Sequence, residues 1–157
     1  MEEILHYLQA IKPFPFKRTT NTHVRKNQVK GKAADYKYES IVLGKVHSYD
    51  KGLVTSQQTE KYKALWDLCS KLMKTKHPSF KFTTIYINKN HVSPPHQDGN
   101  NKGPSYIVGL GNYTGGQLVV GTKTYNIKNK LVQMDGNITH YTKPFTGERY
   151  SIIFLNL

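Results

Sequence analysis

The chain has 157 residues, the size of one ordinary domain, and 37% of them are apolar. Lys and Arg number 23 against 10 Asp and Glu, which gives a formal net charge of +13. No apolar run approaches the roughly 18 residues of a membrane-spanning helix, and the acidic beginning, Met1–His6, lacks the basic-then-apolar order of a signal peptide. We therefore expect an intracellular protein, in the cytoplasm or the nucleus, that is not secreted and has no membrane partner.

The excess of positive charge attracts polyanions through counterion release, and nucleic acid is the partner that it indicates. The stretch 12–32 contains no acidic residue and these basic ones: Lys12, Lys17, Arg18, Arg25, Lys26, Lys30 and Lys32. Such a stretch is typical of a loop that follows phosphates or of a solvated arm. Cys69 is the only cysteine, so it has no disulfide partner within the chain, and we predict a small core residue there.

The first half of the chain predicts helices and one strand. Apolar residues at helical spacing predict a short helix over 2–10, which Pro13 and Pro15 end. A strand follows over 39–46, with a turn at Lys51 and Gly52. The clearest pattern is a helix capped by Ser56 and ended by Pro78, with this apolar stripe: Tyr62, Leu65, Trp66, Cys69, Leu72 and Met73.

From residue 80 the pattern changes to short strands separated by turn residues. Strands are predicted over 82–88, 105–110, 117–121, 123–127, 131–134 and 150–155. Turns are predicted at 111–116, 134–137 and 145–148. Helices followed by short antiparallel strands favour an α+β, mainly β fold, a jelly roll or related barrel backed by N-terminal helices.

His96 and Asp98 lie two residues apart, so an extended segment places both on one side, where they can converge on one ion. His140, after the strand that ends at Met134, is the candidate third ligand. Two imidazoles and one carboxylate leave coordination positions open, as expected for non-haem iron(II) that binds oxygen and an organic co-substrate. The alternatives are an ordinary turn hydrogen bond between His96 and Asp98, and a surface role for His140.

Arg149 begins the last predicted strand, and Ser151 points the same way two residues later. A guanidinium offers paired donors at fixed geometry, which suits a carboxylate ligand. Asn88, on the strand leading toward His96, is a candidate for another hydrogen bond to that ligand. The alternative for Arg149 is a surface ion pair with Glu148.

The second half of the chain resembles the 2-oxoglutarate/iron(II) dioxygenase superfamily, and within it the TET/JBP-type branch. The resemblance covers roughly residues 80–157. It depends on these segments of the sequence: Asn88-Lys89-Asn90, Pro95-His96-Gln97-Asp98, residues 100–106, residues 109–118, Asp135-Gly136, His140 and residues 144–151.

The resemblance implies a double-stranded β-helix of the cupin-like, jelly-roll kind. Residues 1–157 would form one oxygenase domain, in which a helical and basic region, 1–79, supports a core, 80–157, that carries the active site. Iron(II) would be bound by His96, Asp98 and His140, and the co-substrate 2-oxoglutarate by Arg149 with Ser151 and Asn88. The enzyme would use O2 to hydroxylate a C–H bond, in this branch typically the methyl of a modified pyrimidine in nucleic acid.

Substrate contacts are predicted in the segment after the metal ligands: Asn100, Asn101 and Lys102. Tyr106 and Tyr141 are candidates for base stacking. A 2-oxoglutarate-dependent protein hydroxylase of the prolyl or lysyl type would need the same metal and co-substrate residues, so it remains an alternative. So do an inactive nucleic-acid-binding module on the same fold and a cupin-like zinc or manganese protein that does not use 2-oxoglutarate, which Arg149 and Ser151 disfavour.

Overall fold

The computed structural model describes residues 1–19 and 36–157, and it is mainly antiparallel β-sheet with few helices. The helices are α1 (Glu2–Ala10), α2 (Gln57–Lys61) and α3 (Lys63–Lys76). The strands are β1 (Phe16–Thr19), β2 (Tyr36–Ser48), β3 (Gly52–Thr55), β4 (Thr84–Lys89), β5 (Ser105–Leu110), β6 (Tyr113–Gly115), β7 (Leu118–Val120), β8 (Lys123–Tyr125), β9 (Val132–Met134), β10 (His140–Thr142), β11 (Phe145–Gly147) and β12 (Tyr150–Leu155).

A main sheet carries the architecture, with strand order β1-β2-β4-β12-β5-β9 and β3 paired to β2. The last strand, β12, lies in the middle of this sheet and is antiparallel to both β4 and β5. Two smaller sheets complete the fold, with orders β10-β7-β8 and β11-β6. The prediction of a mainly β fold is confirmed, since antiparallel sheets dominate and the described helices are few.

The main sheet has one face against the helices and one against a cavity, because side chains alternate along each strand. On β12, Tyr150, Ile152 and Phe154 are buried with the helices, in a core completed by these residues of α1 and α3: Ile4, Leu8, Leu65, Cys69 and Met73. Burial raises the pKa of the Cys69 thiol to about 12, which agrees with the predicted core role.

The opposite face lines a cavity of about 820 Å³. Residues of β4 and β12 line one side of it, and residues of β7 and β10 line the other. The cavity therefore lies between the main sheet and the three-stranded sheet. No helix among the described residues is long and apolar enough to span a membrane.

The single helix predicted after Ser56 is two helices, α2 and α3, separated at Tyr62. Ser56 caps α2 as predicted, since its hydroxyl accepts from the Gln58 backbone N–H at 3.3 Å. The Gln58 and Thr59 side chains accept from the backbone N–H groups of Val42 and Gly44, both at 2.9 Å. Side chains of the short helix α2 thus accept hydrogen bonds from backbone N–H groups of β2. No local sequence pattern predicts this contact.

Several strand predictions were incomplete. The strand predicted over 39–46 runs from Tyr36 to Ser48, and Phe16–Thr19 pairs with it as β1. Lys17 and Arg18 are therefore in a sheet and not in a loop or arm, whereas residues 20–32 of the basic stretch lie outside the described residues. The predicted turns at 111–116 and 145–148 contain β6 and β11, which pair with each other, and β10 was not predicted.

At Gly44, strand β2 lies very close to the Thr83 backbone and to the Trp66 ring of α3. Its φ is +86°, and a Cβ there would lie 2.2 Å from the Thr83 carbonyl oxygen and 2.8 Å from the Trp66 ring. Gly44→Ala should lower the free energy of unfolding by about 2–4 kcal/mol, because backbone strain and overpacking add. Gly52→Ala is the control, since Gly52 has φ +72° but nothing within 4 Å. We expect it to cost only the strain of about 1 kcal/mol in urea unfolding; equal losses would contradict the close approach.

Candidate metal centre

His96 and His140 come together through the backbone. The His96 N–H donates to the His140 carbonyl at 3.0 Å, and the His140 N–H donates to the His96 carbonyl at 2.9 Å. The Asp98 N–H donates to the Gly136 carbonyl at 2.8 Å. The segment that contains Gly136 and His140 therefore also positions Asp98. A Cβ at Gly136 would lie 2.9 Å from Asp98 Oδ2, which explains the absence of a side chain there.

Backbone carbonyls fix which ring nitrogen of each histidine faces the centre. His96 Nδ1 lies 2.7 Å from the Pro94 carbonyl oxygen, and His140 Nδ1 lies 2.8 Å from the Ile138 carbonyl oxygen. A carbonyl can only accept, so each Nδ1 carries a proton, and Nε2 is the atom of each ring that can bind a metal ion in place of a proton. Both Nε2 atoms face Asp98, at 3.5 Å from Oδ1 for His96 and 3.3 Å from Oδ2 for His140.

The donor set fits a divalent metal ion such as iron(II). The ligand atoms of His96, Asp98 and His140 lie within 4.8 Å of one another. Atoms bound to one ion at about 2.1 Å on adjacent positions are about 3 Å apart, close to the distances here. Two imidazoles and one carboxylate on one side leave other positions open for exchangeable ligands.

Electrostatics keep the carboxylate ionised. Burial alone would raise the pKa of Asp98, but hydrogen bonds from His140 and His96 outweigh it and hold this pKa well below its usual range. Burial alone would likewise lower the pKa of His96, but Asp98 and the Pro94 carbonyl together raise it. The centre therefore attracts a positive charge, which a metal ion would supply in place of the proton.

Arg149 is 2% exposed and lines the same cavity as the three ligands. No carboxylate of the described residues forms an ion pair with it. The alternative pairing with Glu148 is absent, since the Glu148 carboxylate accepts instead from Gln9 Nε2 at 3.3 Å. Burial lowers the pKa of Arg149 from its usual value, but a guanidinium stays charged in proteins. An unpaired buried cation is costly, so this position favours an anionic ligand.

Two aromatic rings hold the guanidinium. The Cζ of Arg149 lies 5.5 Å from the ring centroid of Tyr113 and 5.5 Å from that of Phe145. One guanidinium nitrogen donates to the Gly116 carbonyl at 3.1 Å, whereas the buried Nε meets no hydrogen-bond acceptor among the described residues. A Cβ at Gly116 would lie 2.8 Å from that Nε. Strands β6 and β11, both predicted as turns, thus form the support of Arg149.

Asn88 and Ser151 lie opposite each other in the pairing of β4 with β12, and both line the cavity beside Arg149. Ser151 is 5% exposed, and Asn88 Oδ1 is buried with no hydrogen-bond donor near it in the part of the chain that the structure describes. The predicted co-substrate residues are therefore brought together, and their polar atoms have hydrogen-bonding capacity left for a ligand.

The predicted substrate residues are divided. Asn100, Asn101 and Tyr141 line the cavity, but Lys102 is not among its lining residues. Tyr106 points to the other face of the main sheet, where it stacks on His77 at 4.4 Å between ring centroids. It is thus a packing residue and does not face a substrate.

A further cluster in the cavity was missed from the sequence. The cavity is lined on one side by residues of β1, β2, β4 and the segment just after β4. We refer to these residues as the aromatic wall: Lys17, Tyr38, Tyr86 and His91. Burial lowers the pKa of His91 to about 4, with smaller contributions from the charges of His96 and Arg149, so the ring is neutral near pH 7. The available signal was the alternation of Tyr38, Ser40 and Val42, which predicts that they share a face.

Comparison with known proteins identifies the fold. No protein-family model matches the sequence, and no curated protein matches it significantly. Among solved structures, NgTET1 in complex with 5mC DNA aligns with a TM-score of 0.63 at 13% identity, over 99% of this chain and 67% of that one. A 2OG-Fe(II) oxygenase family oxidoreductase from Burkholderia pseudomallei aligns with a TM-score of 0.54 at 14% identity, over 98% and 77%. The chain has the 2OG-Fe(II) oxygenase fold. The resemblance predicted from the sequence is confirmed at this level, with the His96, Asp98 and His140 triad in place.

Substitution of the ligands tests the metal centre. Asp98→Asn or His140→Ala should weaken iron(II) binding by more than about 100-fold, since loss even of an outer-shell partner typically costs 10–100-fold. Anaerobic titration calorimetry measures this directly. Asp67→Asn, on the exposed side of α3, is the matched control and should bind iron(II) like the wild type. Wild-type affinity in Asp98→Asn would exclude this residue as a ligand.

Proposed function

We propose that the chain is an iron(II)- and 2-oxoglutarate-dependent oxygenase that hydroxylates a C–H bond, and that its substrate is the methyl of a modified pyrimidine in nucleic acid. The observation that carries the proposal is the buried, unpaired Arg149 in one cavity with the His96, Asp98 and His140 triad. A zinc or manganese cupin that does not use 2-oxoglutarate has no need of a buried cation at that place.

In this proposal the fold is a double-stranded β-helix, and each set of residues has one task. His96, Asp98 and His140 hold the metal ion, with their carbonyl-bonded Nδ1 atoms fixing the ring orientation. Arg149 binds a carboxylate of 2-oxoglutarate, assisted by the hydroxyl of Ser151 and the amide of Asn88. The bound iron supplies the redox chemistry that couples O2 and 2-oxoglutarate to C–H hydroxylation, with succinate and CO2 as products.

The protein contributes position and exclusion of water. The Arg149 guanidinium is held by the rings of Tyr113 and Phe145 and by the Gly116 carbonyl. The group that binds the co-substrate is therefore fixed in position, and it orients the co-substrate on binding. Leu118, Met134 and Ile153 are apolar residues of the cavity wall. They limit water near the reacting atoms and so protect the oxidant from side reactions.

The choice of nucleic acid over protein is supported by charge. The formal net charge is +13, and a similarly folded protein, NgTET1, was solved in complex with 5mC DNA. Among the described residues that line the cavity, Asp98 is the one acidic side chain, and the triad uses it. Among the described lining residues a lysyl side chain would find no further acidic side chain to pair with, which disfavours the protein lysyl hydroxylase.

Anaerobic titration of the iron(II)-loaded protein with 2-oxoglutarate tests the proposal through its visible charge-transfer band. We expect the band in the wild type and a loss of affinity of about 30-fold or more in Arg149→Gln, since loss of a buried charged pair typically costs about 2–5 kcal/mol. Lys130→Gln, an exposed cation, is the control. No band in folded, metal-loaded protein would exclude the oxygenase and leave a binding module on this fold.

The aromatic support of Arg149 gives a second test. Tyr113→Leu removes a ring that faces the guanidinium and should weaken 2-oxoglutarate binding about 5-fold or more, because the cation loses a desolvated cation–π contact. Tyr113→Phe keeps the ring that faces the guanidinium, so this variant should bind 2-oxoglutarate more tightly than Tyr113→Leu does. Equal affinity in both variants would contradict a positioning role for the ring.

A further inference from the structure

The cavity is larger than the co-substrate requires. It measures about 820 Å³, and the ten non-hydrogen atoms of 2-oxoglutarate would take about 300 Å³ even at the volume of a liquid water molecule each. The remaining space extends from the triad to the aromatic wall. The residues of that wall therefore border the space left for a substrate.

Strand register fixes the direction in which the wall faces. Lys17 lies opposite Tyr38 in the pairing of β1 with β2, and Val42 lies opposite Tyr86 in the pairing of β2 with β4. Tyr38 and Val42 are four residues apart on one strand and share a face. These side chains thus form a continuous surface on the cavity side of the main sheet.

The wall combines planar rings with a cation. The Tyr38 and His91 rings are stacked, with centroids 4.9 Å apart and planes 28° apart. Lys17 Nζ lies 5.8 Å from the Tyr86 ring centroid. Lys17 is exposed, and no carboxylate of the described residues pairs with it. Its ammonium is therefore available at the entrance to a surface made of rings.

A nucleotide has the two groups that such a surface binds. Bases stack on aromatic side chains whatever their sequence, because every base has a π-face. A lysine ammonium beside the rings suits the phosphate. The neutral His91 ring adds a stacking surface without a desolvated charge, and the fixed cations of the cavity, Lys17 and Arg149, favour an anionic substrate.

We propose that the aromatic wall is the nucleotide-binding surface of the cavity, on which the stacked Tyr38 and His91 rings bind a base and Lys17 binds its phosphate. The proposal deepens the proposed function, and it rests on it in assigning this nucleotide as the substrate. Tyr38, His91 and Lys17 are specificity residues here, since they bind the substrate beside the metal ligands and the co-substrate residues.

Fluorescence anisotropy with a labelled single-stranded DNA oligonucleotide containing 5-methylcytosine tests the wall in the metal-free full chain, without any turnover. Tyr38→Leu and His91→Leu should each weaken binding about 5-fold or more, the usual cost of losing one base stack. Tyr38→Phe keeps the ring and should stay within about twofold of the wild type. Lys17→Gln should weaken binding and reduce the slope of log affinity against log salt by about one.

Controls separate the wall from general charge and from folding. Lys63→Gln, on a helix of the opposite layer, should leave the salt slope nearer to the wild-type value than Lys17→Gln does. Iron(II)-dependent 2-oxoglutarate binding is measured in every variant and should be unchanged in Tyr38→Leu, which shows that the site is still folded.

The outcomes are distinct for the two proposals. Wild-type oligonucleotide affinity in both Leu variants, or no oligonucleotide binding by the wild type, would overturn the wall even if 2-oxoglutarate binds. Failure of 2-oxoglutarate binding would overturn the proposed oxygenase activity. The anisotropy of the Leu variants would then still decide whether the aromatic wall binds a nucleotide. A prolyl peptide that binds in place of the oligonucleotide and is lost in Tyr38→Leu would assign the rings to a protein substrate.

Discussion

Strand β12 has to satisfy two environments at once, and the rest of the structure depends on this constraint. It lies between β4 and β5, with one set of side chains in the helix-backed core and the other in the cavity. Tyr150, Ile152 and Phe154 supply the apolar set, and the alternate positions carry Ser151 and, just before the strand, Arg149. A slip of one residue would bury polar groups among the helices and expose the core residues to the cavity. Register therefore links the stability of the fold to the placement of the anion-binding residues.

The metal centre uses backbone pairing for the same purpose. The reciprocal hydrogen bonds of His96 and His140 fix the separation of two ligands that are far apart in sequence, and the carbonyls of Pro94 and Ile138 fix their rings. Little of this geometry depends on mobile side chains. The three ligand side chains line the cavity, so an exchangeable ligand can reach the centre from it. Backbone hydrogen bonds therefore restrain the ligand side chains, which reduces the ordering entropy that binding would cost.

The chemistry of the site could be predicted from sequence better than its surroundings. His96 and Asp98 are close in sequence, so local geometry suffices to bring them together, and Arg149 with Ser151 follows from strand alternation. The prediction of one helix after Ser56 missed that its first turn bonds through Gln58 and Thr59 to the edge of β2, because this is a contact between distant segments. The turns predicted at 111–116 and 145–148 were wrong for the same reason, since β6 and β11 are strands only through pairing with each other. The aromatic wall was missed because it depends on the pairing of β1 with β2, two strands that residues 20–35 separate in the sequence.

Charge connects the parts of the cavity. Asp98 attracts the metal ion and is the one acidic side chain among the described lining residues, so it is neutralised when the ion binds. Arg149 and Lys17 then remain as fixed cations at different places, the first buried and bonded to the Gly116 carbonyl, the second exposed beside the rings. A small dicarboxylate can satisfy the buried cation, because it fits the enclosed space, but it leaves the exposed one free. The two cations lie at different places along the lining of one cavity, so a small anion and a larger anion can occupy the cavity together without competing for the same charge.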